Sequence, residues 1–513
     1  MTGTITRDVV IVGGGHNALA AAAYLAQAGL SVTVLERLDV VGGAAVSAEA
    51  FSGLDARLSR YSYLVSLLPR SIIDDLRLDI QLAPRRYSSY TPRPGTRDGI
   101  LIDRVDATAN RVALGEDADG WGELYADTSV LARTLFPTVT APLMTRSEAR
   151  RAIGDDRIWE AFVERPVGLE LEQRLQDDVV RGIALTDALI GTFAPNIDES
   201  LQANRCFMYH VIGGGTGDWD VPIGGMGTVT GELRRAALAA GAELLTGAEV
   251  ISVTPDGSVV ADCAGSEARY AARWVLAGCS PTELARLMGE SPAVAAEGAQ
   301  VKVNLLLERL PRLRDPRVDP RAAFGGTFHV NETWSQLQAA HDLAAGGSIP
   351  SPLPLEIYCH TLTDPSILGD ELRASGAQTI TVFGLHTPHR LVPQDVNAYR
   401  LELQDAALAS LDSVLDEPIE SLLMTDADGR PTIETKTTLD LEGALRLPGG
   451  SIFHGPLDWP WAEDDAELAT PAQRWGVATA HERILLAGSG ARRGGAVSAI
   501  GGHNAAMAIL ESL

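Results

Sequence analysis

The sequence predicts an α/β fold with a Rossmann-like nucleotide-binding domain, a second domain built on a mixed sheet, and a helical cap. Three observations predict it. An apolar strand, a glycine turn, a small-residue helix and a second apolar strand ending in an acid open the chain over residues 8–36. Helix and strand patterns alternate again between residues 222 and 278, and another strand, glycine turn and helix follow over residues 484–510. This alternation is typical of a mostly parallel sheet covered by helices.

The opening unit has the chemistry of a dinucleotide-binding turn. Residues 9–12 form the short apolar run that a parallel strand covered on both faces requires. Gly13 and Gly15 permit a tight turn that brings backbone N–H groups close to a pyrophosphate, and Ala18 takes the third small position, where the helix packs on the strand. The helix directs its N-terminal dipole at the phosphate. Glu36 ends the second strand, where a carboxylate can hold ribose hydroxyls, so the unit predicts a bound dinucleotide.

Length and charge restrict the class of protein. A chain of 513 residues is too long for one simple core and predicts at least two packed domains. The formal net charge of −25 argues against nucleic acid as a partner and against polybasic attachment to anionic lipid, although docking on a membrane through an apolar patch stays open. No secretory signal pattern and no apolar stretch long enough to span a bilayer is present, so we expect a cytoplasmic protein.

The cysteines restrict the chemistry further. Cys206, Cys263, Cys279 and Cys359 are far apart and form no CxxC or CxxxxC pair. The spacing therefore predicts four reduced thiols, with neither a redox-active disulfide nor a zinc site, and we expect no metal.

The segments after the opening unit predict the remaining elements. Gly42 and Gly43 follow the ribose acid and favour a flavin over a nicotinamide, because a second backbone turn can pass under an extended cofactor there. Tyr61, Tyr63 and nearby apolar residues are either a wall of an apolar substrate site or ordinary core. Helical spacing with many charges over residues 146–192 predicts the cap. Strands of the second sheet and a closing helix are predicted at residues 301–307, 326–330, 355–361, 379–386 and 398–411.

Several of these motifs together resemble the phytoene-desaturase-like FAD oxidoreductases, and within them the group of pyridine nucleotide-disulphide oxidoreductase domain-containing protein 2. The likeness runs from about residue 8 to the C-terminus. Its motifs lie at residues 13–17, Glu36, 42–46, 224–227, 301–304, 453–455 and 488–495. The resemblance implies the flavin amine oxidase and phytoene desaturase type of fold.

The resemblance also implies one bound FAD. An arginine follows the second glycine pair in many relatives, whereas Ala44 stands there in this chain, so that ionic contact is lost or supplied elsewhere. The backbone at Val250 is expected against the adenine. The implied FAD contacts are Gly13, Gly15, His16, Asn17, Ala18, Glu36, Arg37, Gly42, Gly43, Ala44, Val250, Gly488, Gly490, Gly494, Gly495 and Ala496.

Three residues are the catalytic candidates. The wider flavin amine oxidase superfamily places a lysine opposite the flavin N5, and the setting of Lys302 resembles it; the alternative is a surface lysine on a strand. His454 and His503 are the leading acid–base candidates, since imidazole titrates near neutrality, although a histidine is more often structural. His210, His329 and His360 follow them.

We therefore predict an FAD domain from residues 1–70, 220–295 and 440–513, and a substrate and cap domain from residues 71–219 and 296–439. The resemblance implies hydride transfer between flavin N5 and a carbon of an apolar, carotenoid- or isoprenoid-like substrate, as a desaturase, saturase or isomerase. The sequence leaves the electron acceptor open, and oxygen and a quinone are both candidates. Two alternatives stay open: an amine or amino-acid oxidase using oxygen, and a non-catalytic flavoprotein that serves as an interaction partner. The sequence leaves the oligomeric state open.

Overall fold

The computed structural model of the chain describes residues 3–292 and 297–513. Within these ranges two large sheets organise the molecule. The strands are β1 (Ile5–Val12), β2 (Val32–Leu35), β3 (Ser47–Glu49), β4 (Arg57–Ser59), β5 (Leu82–Ala83), β6 (Tyr87–Pro92), β7 (Gly99–Asp103), β8 (Val221–Pro222), β9 (Glu243–Leu245), β10 (Ala248–Val253), β11 (Ser258–Cys263), β12 (Ser266–Ala277), β13 (Val301–Leu307), β14 (Thr327–Val330), β15 (Leu355–Tyr358), β16 (Gln378–Gly384), β17 (Ile433–Lys436) and β18 (Ile484–Leu486).

Helices cover both sheets and form a separate layer over residues 107–212. They are α1 (His16–Gln27), α2 (Arg70–Asp75), α3 (Ala107–Leu114), α4 (Ala118–Leu135), α5 (Arg146–Ile153), α6 (Asp156–Trp159), α7 (Val167–Arg174), α8 (Asp178–Leu185), α9 (Gln202–Ile212), α10 (Met226–Ala239), α11 (Pro281–Met288), α12 (Pro320–Ala323), α13 (Trp334–Ala345), α14 (Asp370–Ser375), α15 (Val396–Asp412), α16 (Thr438–Leu445), α17 (Pro471–Arg474) and α18 (Ile500–Glu511). Among the described residues, every helix is too short or too polar to span a bilayer.

The first sheet has the order β10-β11-β12-β1-β2-β9, and β18 pairs with β12. Strands β12, β1, β2, β9 and β18 run parallel, while β10 and β11 form an antiparallel extension. Helix α1 packs between α10 and α18, and its alanines are buried because both neighbours approach it closely. Gly502 of α18 lies against the carbonyl group of Asn17, where no side chain would fit. Small residues therefore set the position of the helix that follows the glycine turn.

The second sheet has the order β17-β13-β16-β15-β14-β6-β7. Only β14 and β6 pair in parallel among these strands, so the sheet is mixed. Helix α15 covers one face of the sheet, with Leu403 and Leu411 in the shared apolar core. Helices α4 to α9 bury a core of their own around Leu131, Trp159 and Phe207.

The structure confirms the predicted fold class, an α/β Rossmann-like fold with a second, mixed sheet. The first sheet takes its strands from residues 5–35, 243–277 and 484–486, and the second from residues 87–103 and 301–436. The division of the chain into domains remains a prediction, and its proposed change of domain between residues 295 and 296 lies outside the described residues. Individual elements differ by a few residues: the strand expected over 355–361 ends at Tyr358, because a turn of 3-10 helix begins at His360.

Candidate functional site

A cavity of about 730 Å³ connects the glycine turn after β1 with the second sheet. A volume of this size is within the range of small-molecule and cofactor sites. Its outer part is lined by the turn after β1, the end of β2, the start of β10 and the end of α16. Its inner part is lined by β6, β14, β15 and β16 and by the cap helices α4, α8 and α9. One continuous space therefore joins the two sheets.

Backbone geometry explains the glycines of the outer part. Gly13 has a φ of +88°, a conformation that residues with a side chain rarely adopt. A Cβ atom on Gly15 would meet no atom within 4 Å, so the Cα of Gly15 faces open space. Gly15 also forms a β-bridge with Gly42. Gly43 lies so close to Gly15 that a Cβ atom on Gly43 would be 3.1 Å from the Cα of Gly15. The two glycine turns thus form one thin wall along which an extended ligand can lie.

Glu36 is fixed by the turn that it faces. Its Oε2 accepts a hydrogen bond from the Gly14 N–H at 2.7 Å, and its Oε1 accepts one from the Leu38 N–H at 2.8 Å. The carboxylate is largely buried but lines the cavity. Because each carboxylate oxygen has a further lone pair, Glu36 can still accept hydrogen bonds from ribose hydroxyls.

Most of the FAD contacts implied by the resemblance lie on this cavity. Those that line it are Gly13, Gly15, His16, Asn17, Glu36, Arg37, Gly43, Ala44, Val250, Gly495 and Ala496. Those that do not are Ala18, Gly42, Gly488, Gly490 and Gly494. Residues 444–447 at the end of α16 complete the wall, and the sequence did not predict them because they carry no recognisable motif. The contacts themselves stay predictions.

His16 joins the N-terminal and C-terminal glycine turns. Its Nε2 lies 3.1 Å from the Ala496 carbonyl oxygen, a bond that the ring makes as a donor. Burial lowers the pKa of His16 to about 4, so the ring is neutral at pH 7. Beside it, the Oδ1 of Asn17 is buried without a hydrogen-bond partner. The cavity therefore offers a ligand an unsatisfied polar atom in its outer part.

The structure separates the two leading histidine candidates. His454 lines the cavity with a φ of +65°, and its Nδ1 is buried without a partner. Burial, helped by the nearby His16, lowers the pKa of His454 to about 4. His503 instead lies on α18 outside the cavity lining, where its Nδ1 is 2.9 Å from the Oδ1 of Asn504 and its ring meets the edge of Tyr24.

Lys302 is buried one layer behind the cavity wall. It lies on β13 with 4% of its surface exposed, and its Nζ donates to the carbonyl oxygens of Ser59 at 2.7 Å and Tyr61 at 3.1 Å. Burial lowers the pKa of Lys302 to about 7, while the charge of Glu434 acts in the opposite direction. Tyr61 and Tyr63 line the cavity, whereas Lys302 does not.

The inner part combines apolar and ionisable side chains. Thr186 donates a hydrogen bond to Glu356 Oε1 at 2.7 Å, and Tyr358 donates one to Glu356 Oε2. Burial raises the pKa of Glu356, and it raises the pKa of Asp187 to about 6. Arg85, whose pKa burial lowers, donates to the Trp219 carbonyl and to Thr327 Oγ1. None of these acids was selected from the sequence, since each stands alone there.

The remaining histidine candidates lie at different depths. His210 and His329 line the inner part of the cavity, and His360 does not, although its ring centre is 5.8 Å from that of Tyr63. The ring of His210 stacks on Trp219, and its Nδ1 donates to the carbonyl oxygen of Cys206 at 2.9 Å. Burial lowers the pKa of all three rings.

Comparison with known proteins agrees with this geometry. A family model described as an NAD(P)-binding Rossmann-like domain matches residues 11–71, which hold the glycine turn and Glu36. The structure of a putrescine oxidase mutant with redesigned cofactor binding is similar over 100% of both chains, with a TM-score of 0.59 and 18% sequence identity. The fold and the matched residues thus define an α/β protein with an NAD(P)-binding Rossmann-like domain and a second, mixed sheet.

Several relatives match nearly the whole chain. The mouse protein named pyridine nucleotide-disulfide oxidoreductase domain-containing protein 2 is 28% identical, over 99% of this chain and 94% of its own length. The uncharacterized protein Rv0897c of Mycobacterium tuberculosis is 55% identical, over 99% of this chain and 97% of its own length. The chain belongs to the family of that mycobacterial protein.

Proposed function

We propose that the chain binds one FAD along the outer part of the cavity and is an FAD-dependent oxidoreductase acting on a substrate held in the inner part. The observation that carries the proposal is the continuity of the cavity from the glycine turn to the second sheet. The residues fit the cofactor: Gly15 leaves open space beside the turn, Glu36 retains acceptor capacity, and Asn17 and His454 carry unpartnered polar atoms.

FAD would supply hydride transfer at its N5 atom, and the chain would supply binding, orientation and a dry environment. The N-terminus of α1 faces the turn at Gly15, so its unpaired N–H groups favour a pyrophosphate. Glu36 would bind the ribose hydroxyls. Tyr63, Tyr358 and Phe383 would exclude water from the reacting atoms, since their rings pack together on the inner wall.

The inner wall supports a substrate with an apolar body and at least one polar group. Leu64, Leu67 and Ile190 provide apolar surface, as a carotenoid- or isoprenoid-like substrate requires. A pure hydrocarbon would, however, cover the carboxyl group of Asp187 without offering it a hydrogen bond, and burying such a group unpaired is costly. We therefore favour a functionalised substrate over an unsubstituted polyene.

Amine oxidation is a second candidate, and Asp187 favours it. This acid lines the inner part of the cavity, and among the described residues no lysine or arginine lies within ion-pair distance of it. The ammonium group of an amine substrate would form an ion pair with the Asp187 carboxylate. Release of hydrogen peroxide with small amines would support this candidate, whereas flavin reduction by carbon donors without peroxide would support the first.

The cofactor is tested by the visible spectrum of the purified full-length chain and by titration with FAD. In G15A the new methyl group would enter the open space beside the turn, and its backbone φ of −70° suits alanine. We expect G15A to fold and to bind FAD at least about tenfold more weakly, a loss of ~1.4 kcal/mol.

The matched control is G231A, because Gly231 is exposed on α10 and also has no atom within 4 Å of its Cβ position. A wild-type chain that is colourless and takes up no FAD would contradict the proposal, as would equal FAD affinities of G15A and G231A. If FAD binds but no amine or carbon donor reduces it, the non-catalytic alternative is favoured.

A further inference from the structure

Three buried side chains meet at the inner end of the cavity: His329, Glu332 and Glu356. One ligating atom from each lies within 4.8 Å of the others, and the residues are only 3%, 0% and 3% exposed. Strand pairing brings them together. His329 on β14 stands directly opposite Glu356 on β15, and Asn331, at a φ of +58°, turns the chain so that Glu332 comes back to His329.

Two polar atoms of this cluster have no hydrogen-bond partner. They are Nδ1 of His329 and Oε1 of Glu332. The His329 Nδ1 lies 3.3 Å from Glu332 Oε2, so it points into the cluster, but the contact lacks the alignment of a hydrogen bond. Unpartnered buried atoms of this kind call for a ligand.

The hydroxyl of Thr186 cannot satisfy both carboxylates. Its oxygen lies 2.7 Å from Glu356 Oε1 and 3.1 Å from Glu332 Oε2, and it has a single hydrogen to donate. Within the part of the chain that the structure describes, no lysine or arginine is within 4.0 Å of either acid. The guanidinium of Arg85, which also lines the cavity, is bonded to Trp219 and Thr327 instead. Two acids without a cation are costly to bury.

We propose that His329, Glu332 and Glu356 bind a divalent transition-metal ion. One imidazole nitrogen and two carboxylate oxygens form a donor set that suits zinc, manganese or ferrous iron. Thr186 and Tyr358 hold the carboxylate of Glu356 by hydrogen bonds, which is the usual task of the outer partners of a metal site. The cysteine spacing gave no sign of this site because its donors are histidine and glutamate.

The metal would keep an open position toward the cavity. His329 and Glu356 line the cavity, while Glu332 lies behind them. Three protein ligands with one free position are typical of sites that bind a substrate atom. An oxygen of the substrate would take that position, so the site would orient the polar group that the inner wall requires. The metal site itself does not depend on the proposed FAD chemistry.

The test uses the purified full-length chain, stripped with a chelator and titrated with Zn²⁺. Metal content is measured by mass spectrometry and affinity by calorimetry, and flavin content is recorded on the same samples. We expect wild type to bind one Zn²⁺ more per chain than H329Q or E332Q. We expect each variant to lower the affinity of that site at least about 100-fold, because even outer partners of a ligand change metal affinity 10–100-fold.

H386Q is the matched control. His386 is equally buried and both its ring nitrogens lack partners, yet it does not line the cavity. It should bind Zn²⁺ as wild type does. E332Q keeps the shape of the side chain and replaces a buried carboxyl group by a neutral amide, so it should fold, which circular dichroism checks. The proposal would be overturned if wild type bound no more Zn²⁺ per chain than H329Q. It would also be overturned if H329Q and H386Q bound Zn²⁺ with equal affinity. Normal flavin content in those samples would show that the FAD proposal survives.

Discussion

The Nζ atom of Lys302 lies 4.7 Å from the centre of the Tyr63 ring, and the ring rather than the lysine faces the cavity. The same Nζ atom holds the carbonyl groups of Ser59 and Tyr61. Lys302 therefore does not contact the cavity itself but fixes the backbone of the segment that carries Tyr61 and Tyr63, which do. Its assignment as a catalytic residue opposite the flavin stays a prediction.

The free energy of unfolding should rise with pH because of Lys302. The pKa of this lysine is about 7 in the folded chain and 10.5 ordinarily, so between these values the unfolded chain binds a proton that the folded chain does not. Stability then rises by about 1.4 kcal/mol per pH unit. Urea denaturation of wild type and K302M at pH 7.5, 8.5 and 9.5 should show their difference growing in favour of wild type. A constant difference would mean that the lysine keeps its ordinary pKa.

The buried ring of His454 predicts a loss of stability in mild acid. Its pKa is about 4 when folded and 6.5 ordinarily, so protons bind preferentially to the unfolded chain as the pH falls through this interval. Asparagine tolerates the left-handed backbone at this position. Between pH 6 and pH 5 wild type should lose about 1 kcal/mol more stability than H454N. Parallel losses in the two proteins, measured by denaturation, would rule out a neutral buried His454.

The sequence revealed more of the outer part of the cavity than of the inner part, for a physical reason. Gly13, Gly15 and Glu36 belong to one local unit whose spacing follows from the geometry of a strand, a turn and a helix. His329 and Glu356 meet only because β14 pairs with β15 in one register. No local sequence pattern encodes that register, so the sequence alone could not show that the two side chains lie next to each other.

The same contrast applies to the catalytic candidates. The strand that carries Lys302 was predicted from its apolar pattern, and its pairing with β16 and β17 buries the lysine between them. A sequence pattern gives the strand but not its neighbours, so it left open whether the side chain is buried. His503 likewise sits on a correctly predicted helix, whose packing against α1 turns the ring toward Tyr24.

Removing the carboxylate of Glu36 should weaken both the fold and cofactor binding. In E36A the N–H groups of Gly14 and Leu38 lose their acceptor. The Gly14 donor is buried, and a buried unpaired donor costs about 1–3 kcal/mol. Thermal unfolding without FAD measures the first effect and FAD titration the second. E49A, on the exposed end of β3, is the control and should change neither. An E36A protein with wild-type stability would show that water replaces the carboxylate fully.

A methyl group at Gly182 should destabilise the chain through the backbone of the proposed metal site. Helix α8 packs on the segment before α13, and a Cβ on Gly182 would overlap the carbonyl oxygen of Glu332. Because backbone atoms cannot move aside as a side chain can, G182A should lower the free energy of unfolding by about 1–3 kcal/mol.

G122A is the matched control: Gly122 lies on the exposed side of α4 with no atom within 4 Å of its Cβ position, so alanine should be neutral or stabilise by up to ~1 kcal/mol. Since Glu332 would shift with its carbonyl, G182A should also bind Zn²⁺ more weakly than G122A. Equal unfolding midpoints for the two variants would refute the close contact between α8 and Glu332.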